Sequence, residues 1–247
     1  MWDDPKQLNA VTTGLLVLAA VLIGWGVVVW AVRQPVFEVR EVVVTRPLVR
    51  VKASDVYKRQ HEEFTGTLFT MNLERSRDAI SQVPWVRKVT LRRQWPHRLE
   101  LAIEEQVPFA RWNDYALVNT QGEVFIADYQ GELPQFDGPD GRALEVATRF
   151  NEWGAALAPL GLALRAVEMS PRGSWKVVAA RDRGTLTIEI GREEPQERLD
   201  RFISLYGKTV GVLAKGGTRI DYVDLRYRNG FAARVPGFKE RAPKRAA

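Results

Sequence analysis

From Val11 to Val32 the chain runs 22 residues without a charge or a proline, and with nothing more polar than Thr12 and Thr13. As a helix rising 1.5 Å per residue, such a run is roughly 33 Å long, and the hydrocarbon core of a bilayer is about 30 Å thick. A helix satisfies its own backbone amides and carbonyls, so the segment 11–32 is predicted to span a membrane. A cleaved signal peptide would have a shorter apolar stretch ending in a small-x-small site. This one ends Trp30-Ala31-Val32-Arg33-Gln34-Pro35. A buried core helix would carry a polar stripe, and none is present. Trp30 and Arg33 suit the membrane–water interface, where an indole and a snorkelling cation are favoured. No G-x-x-x-G announces a helix-dimer face.

The span leaves residues 1–10 on one side and everything after Arg33 on the other. Lys and Arg alone favour the long side inside the cell, because it opens with Arg33, Arg40, Arg46, Arg50 and Lys52. That rule weakens when a folded domain is translocated, so charge leaves the orientation open. The 215 residues after the span hold 35 basic and 28 acidic side chains. The two signs alternate through most segments, which argues against a nucleic-acid stripe. The local exceptions are Arg87-Lys88 with Arg92-Arg93, and the tail from Lys239 to Arg245. There is no cysteine, which excludes disulfides and thiol chemistry. His61 and His97 are the only histidines and form no helical metal-ligand pair.

Val36 to Val44 is β-branched and largely alternating, and reads as a strand stopped before Pro47. Ser54 or Asp55 can cap a helix to about Glu63, with Val56, Tyr57 and Phe64 on one face. Asn72 can cap a second helix with Leu73, Ile80 and Val83 inward, ended by Pro84. Val86–Arg93 and Arg98–Glu105 are strands joined by a turn at Trp95-Pro96, and Leu99, Leu101 and Ile103 mark the buried face of the second. Trp85 and Trp95 read as core or hinge packing residues.

This strand–helix–helix–strand–strand order resembles a POTRA domain, a small α+β module. The series Val83-Pro84-Trp85-Val86, Arg92-Arg93-Gln94-Trp95-Pro96 and Glu104 through Trp112 closely resembles the FtsQ/DivIB family of bacterial division proteins. Leu117-Val118 followed by Gly122-Glu123-Val124-Phe125 continues the likeness, which runs from Val11 to about Pro236. Thr45-Arg46-Pro47 departs from it, since the family more often has a glycine-containing turn there.

Beyond Trp112 the strands shorten. Tyr115–Val118 and Val124–Ala127 flank a turn at Asn119–Gly122. Arg142–Leu160 reads as a helix with Leu144, Ala147, Phe150, Leu157 and Leu160 near one face. Ala163–Met169, Trp175–Ala180 and Thr185–Ile190 are strands, with turns at Pro171-Arg172-Gly173 and Asp182-Arg183-Gly184. Pro195 opens an amphipathic helix with Leu199, Phe202, Ile203, Tyr206, Val210 and Leu213 in its buried stripe. Gly216-Gly217 separates it from a strand over Arg219–Arg228. Asn229-Gly230 is the strongest short-range hairpin signal, since both tolerate positive φ. It returns the chain as Phe231, Ala232, Ala233, Arg234 and Val235, ended by Pro236. Only a polar basic tail, 237–247, predicted to be disordered, follows. The last strand is therefore expected at a sheet edge, a template for a strand from another chain.

The predicted class is α+β: one transmembrane helix (11–32), a POTRA domain (36–106, βααββ), then a mixed β domain (107–236) with helices on a largely antiparallel sheet. No catalytic motif stands out. Phe202 to Thr209 resembles a phosphate loop without its first glycine, on a helix rather than after a strand. Glu104-Glu105 and Glu193-Glu194 are adjacent pairs, which on a strand point to opposite faces.

The family resemblance implies a non-enzymatic, cofactor-free divisome scaffold. Residues 1–10 would be a cytoplasmic tail, the β domain would be periplasmic, and FtsB and FtsL would be partners at the division septum. It places the FtsB contact on Arg172, Arg226, Tyr227 and the final strand from Asn229 to Val235. The residues themselves leave Arg226 open as a solvated strand arginine. They leave Tyr227 open as a core residue, because Val223, Leu225 and Tyr227 share a face. A polypeptide-docking chaperone or transport module of the POTRA type is the alternative. An enzyme acting on cell-wall glycan would need two carboxylates converging in a cleft.

Overall fold

The computed structural model describes residues 5–236, apart from 65, 96, 182, 183 and 217. The predicted basic tail 237–247 lies outside the described residues, as do parts of the turns expected at 95–96, 182–184 and 216–217. Contacts divide the chain into two units, Met1–Gln106 and Val107–Ala247.

The first unit opens with α1 (Pro5–Val32). Its segment Asn9–Val32 has the length and composition to cross a membrane, and none of it is buried against the rest of the chain. A 3-10 turn over Pro35–Phe37 follows, with proline in its first position. Then come β1 (Glu41–Val44), α2 (Ala53–Glu63), α3 (Leu73–Ser81), β2 (Val86–Gln94) and β3 (Arg98–Glu105). The sheet order is β1-β3-β2, with β1 parallel and β2 antiparallel to the central β3.

Local chemistry explains these boundaries. The Asn72 Oδ1 accepts the amides of Glu74 and Arg75, satisfying two orphan donors at the start of α3. Leu99, Leu101 and Ile103 on β3 are buried. With Val51, Val56, Ile80, Val83, Val86 and Val89, Leu101 and Ile103 form a core. The loop after β1 is held by one side chain. Glu105 Oε1 accepts the amides of Val49, Arg50 and Val51 at 3.0, 2.9 and 2.8 Å.

The second unit contains β4 (Pro108–Trp112), β5 (Ala116–Asn119), β6 (Val124–Phe125), β7 (Gln135–Asp137), α4 (Ala143–Leu157) and β8 (Ala163–Met169). It continues with β9 (Trp175–Arg181), β10 (Gly184–Gly191), α5 (Pro195–Tyr206), α6 (Val210–Lys215), β11 (Tyr222–Asp224) and β12 (Ala232–Arg234). The strands form one sheet in the order β12-β11-β10-β9-β8-β7-β4-β5-β6. Its parallel pairs are β10–β11, β7–β8 and β4–β7, and the rest are antiparallel. Val167, Val177, Leu186, Ile188 and Val223 on the strands join Val146, Trp153 and Leu157 of α4 and Leu199 and Phe202 of α5 in one core. Trp153 stacks edge-on against Trp175 with centroids 5.3 Å apart.

Several elements differ from the sequence expectation. The first strand is only Glu41–Val44, because Pro35 starts a 3-10 turn instead of extending the strand. Pro108–Trp112 and Gln135–Asp137 are strands that no sequence pattern singled out. Leu144 is exposed, and the buried face of α4 runs through Ala143, Val146, Ala147, Trp153 and Leu157. The long helix from Pro195 breaks after Tyr206. Thr209 Oγ1 bonds back to the Leu205 carbonyl, and Leu213 ends up exposed on α6. Trp95 is 69% exposed, not a core residue, because the β2–β3 turn carries it past the end of the sheet.

Candidate interaction edge

The predicted final strand takes its place at the outside of the nine-stranded sheet, as β12, which among the described residues pairs only with β11, antiparallel. Backbone parity then decides which groups face outward. The Thr187 amide donates to the Asp221 carbonyl and the Leu225 amide donates to the Glu189 carbonyl, so Asp221 and Leu225 face β10. Polar groups of alternate residues point to opposite sides of a strand, so Tyr222 and Asp224 face β12. Their register partners are Arg234 and Ala232. These two therefore turn their amides and carbonyls inward, to β11. Ala233 turns its own toward the free edge, and Phe231 and Val235 share its parity.

Phe231 meets Phe202 edge-on with centroids 5.4 Å apart, and both Phe231 and Val235 pack on the core. Of the residues named for partner contact, these two are thus anchors of the strand. Ala232, Ala233 and Arg234 are exposed. Arg234 Nε bonds Asp221 at 2.9 Å, and its guanidinium lies 5.4 Å from the Tyr222 ring centroid. That pairing holds the Asp221 carboxyl below the usual carboxylate range.

The hairpin is not the two-residue turn that Asn229-Gly230 suggested. Asp224 pairs with Ala232, which leaves seven residues between them, and neither Asn229 nor Gly230 takes a positive φ. A loop this long need not adopt the mirror-image turn that a tight hairpin requires. Arg201 on α5 pins it by donating to the Arg228 carbonyl at 2.7 Å. Tyr227 is 57% exposed on this loop, which removes the core-residue reading. Strand geometry stops at Asp224, so Tyr227 no longer shares a face with Val223 and Leu225.

Arg226 is not an unengaged strand arginine. Its Nε and Nη2 grip the Asp224 carboxylate at 2.9 and 2.7 Å, and its amide donates to the same Oδ1 at 3.0 Å. Hydrogen bonding from Arg226 holds the Asp224 carboxyl below its usual range and raises the Arg226 pKa. Gly191 makes room for this arrangement. It sits at φ 87°, and a Cβ there would come within 2.5 Å of Arg198 Nη1 and 2.9 Å of Arg226 Cγ.

Arg172 is exposed in the turn from β8 to β9, where the Gly173 amide donates to the Ser170 carbonyl at 2.9 Å. Gly173 lies against Arg192, next to Gly191. The Arg172 turn, the end of β10 and Arg226 therefore share one end of the sheet. Two strand spacings, about 10 Å, separate the start of β9 from β11. Arg192 and Arg198 enlarge this basic rim, and neither stood out in the sequence, where each is one arginine in a mixed-charge segment. Arg198 is partly neutralised by Glu193 at 3.6 Å.

The chemistry available here is that of a docking edge: outward amides and carbonyls, an exposed tyrosine and a guanidinium-rich rim. Among the described residues no cluster of three His, Asp or Glu side chains could hold a metal. The paired carboxylates diverge, with Glu104 on Arg87 and Glu105 on the 49–51 amides.

Comparison with known proteins agrees with the architecture. Residues 37–106 match the POTRA domain of FtsQ type, and residues 110–226 match the C-terminal region of cell division protein FtsQ/DivIB. The chain is 34% identical to the cell division protein FtsQ of Burkholderia pseudomallei, over 97% of this chain and 96% of that one. It is 36% identical to the FtsQ of Nitrosospira multiformis over 95% and 99%, and 32% identical to that of Neisseria gonorrhoeae over 95% of each. With a POTRA module, a β domain and an apolar N-terminal helix in the same order, the chain belongs to the FtsQ/DivIB family of cell division proteins.

Proposed function

We propose that this protein is a non-enzymatic, single-pass scaffold of the division machinery, its N-terminus cytoplasmic and its two folded units periplasmic at the septum. On this reading it recruits FtsB and FtsL and so helps control septal peptidoglycan synthesis. The single observation that carries the reading is the outer edge of β12. Nothing in the described chain pairs with it, and its three residues are all exposed. A partner strand laid along that edge gains main-chain hydrogen bonds, while side-chain contacts give specificity.

Tyr227 then supplies contact area and Arg172 a cation for an acidic partner side chain. Arg226 serves the same rim while tied to Asp224, and the pairing fixes its direction. The polypeptide-transport alternative gains nothing from this geometry, because the edge belongs to the unit after the POTRA module.

The test is binding of the full chain, in nanodiscs, to the FtsB–FtsL pair. Arg172→Glu should weaken binding roughly tenfold, the scale of a reversed charge at an interface rim. Its melting temperature should stay within the small range of a surface substitution. Equal binding by wild type and variant removes Arg172 from the interface.

A further inference from the structure

The POTRA unit holds a second exposed surface that the edge reading leaves unused. Thr67 Oγ1 donates to the carbonyl of Val32, the last residue of α1, at 2.7 Å. The same loop is tied to the chain leaving the helix, since the Leu68 amide donates to the Phe37 carbonyl at 2.7 Å. Phe37 touches Phe69 edge-on at 5.2 Å and lies 6.5 Å from Trp95 at the β2–β3 turn. Trp95 is 69% and Phe69 48% exposed. Three aromatic rings from three segments thus form one continuous apolar surface, anchored to the final carbonyl of the apolar helix. The exposed cations Arg33 and Arg40 flank it in sequence.

We infer that this surface rests in the interfacial layer of the phospholipid bilayer and fixes the orientation of the POTRA unit on the membrane. The inference relies on α1 spanning the bilayer. The apolar run stops at Val32 and Arg33 follows, so the Val32 carbonyl marks the hydrocarbon boundary. The headgroup layer beyond that boundary is roughly 5–8 Å deep. Val32 and Phe37 are bonded to the adjacent residues Thr67 and Leu68, and ring-to-ring steps of 5.2 and 6.5 Å carry the apolar surface from Phe37 to Phe69 and Trp95, beside that layer. Tryptophan is enriched at that depth because its ring prefers an apolar body with a wet edge, and arginines there can meet lipid phosphates. A continuous exposed aromatic patch on a water-facing surface would have no such partner.

The chain has no cysteine, so one introduced cysteine is a unique labelling site. The full chain is reconstituted in phosphatidylethanolamine–phosphatidylglycerol vesicles with an environment-sensitive fluorophore on His97→Cys, beside Trp95. Val49→Cys is the reference, 82% exposed and bonded through its amide to Glu105 at the far end of β3. Seven strand steps, about 23 Å, separate Arg98 from Glu105. The label at 97 should shift to the blue and be quenched by lipids carrying a nitroxide near the headgroup, and the label at 49 should do neither.

Adding Trp95→Ser and Phe69→Ser should abolish the shift at 97. Identical spectra at 97 and 49 overturn the inference, as does a shift that survives both serines, since tethering alone would then explain it. Flotation of the same vesicles after alkaline extraction reads the span separately. Loss of flotation overturns the spanning helix and the docking with it, whereas flotation without a shift at 97 overturns the docking alone.

Discussion

A proline at position 233 and a proline at position 232 should have opposite consequences, although the two residues are adjacent, alike and both exposed. The parity fixed by the Thr187–Asp221 and Leu225–Glu189 bonds turns the Ala232 amide toward β11 and the Ala233 amide toward the open edge. Ala233→Pro removes an outward donor, and its ring stands where the carbonyl of an added strand would approach. The bond from that amide is lost, and the displaced partner backbone also loses its bond to the outward Ala233 carbonyl, two intermolecular hydrogen bonds in all. At about 0.5–1.5 kcal/mol net each, binding weakens by about 1–3 kcal/mol, or roughly 5- to 150-fold in Kd. The fold should tolerate this change, because proline is accepted on the solvent side of an edge strand. Ala232→Pro instead breaks the inward bond to Asp224 in a three-residue strand and should lower the melting temperature. Binding is read by titrating FtsB–FtsL into the full chain in nanodiscs, and stability by thermal denaturation of the same samples. If Ala233→Pro binds like wild type while Ala232→Pro remains stable, either the parity or the docking edge is wrong.

Other residues make independent demands. Glu105→Ala leaves the amides of Val49, Arg50 and Val51 without their shared acceptor and should destabilise the POTRA unit by about 2 kcal/mol, seen as a lower denaturant midpoint. Asn72→Ala removes the cap of α3 and should cost about 1 kcal/mol in the same assay. Asp224 has its pKa lowered by Arg226, so in acid the unfolded chain binds a proton that the folded one does not. The stabilisation is fully present above an unperturbed aspartate pKa of about 3.9 and is lost as pH falls through the depressed value. Asp224→Asn should therefore flatten the acid limb of the stability–pH curve, and an unchanged limb would show that the pair carries no pH-dependent stability.

The sequence was most legible where one residue imposes one geometry. Asn72, Pro84 and the Leu99–Leu101–Ile103 alternation delimit the POTRA elements because a cap, a ring and a period of two each act locally. It was least legible where tertiary context decides. Pro108–Trp112 and Gln135–Asp137 are strands because neighbours pair with them, and three residues such as Gln135–Asp137 have no period to read. Trp95 looked like a core residue because a tryptophan's size suggests burial, but its place at a turn tip depends on where the sheet ends. At the proposed docking edge, the terminal position of β12 followed from chain order and a bounding proline. The capture of Arg226 by Asp224 did not, since the Arg226 amide reaches the Asp224 carboxylate only because the chain leaves strand geometry directly after Asp224.

A receptive edge must also be kept from pairing with its own kind, and the composition of β12 meets both demands. A long, flat, apolar edge would invite aggregation. This strand is three residues long and ends at Arg234, with Pro236 two residues further on. Its large apolar neighbours, Phe231 and Val235, pack partly buried against the core and offer little to a second copy. The exposed positions Ala232 and Ala233 have side chains too small to hold a stranger by hydrophobic contact alone. A strand that adds here must then gain its specificity away from the backbone, from the rim of Arg172, Arg226 and Tyr227. It follows that rim substitutions should discriminate among partners, whereas the main-chain edge should matter equally to every strand that reaches it.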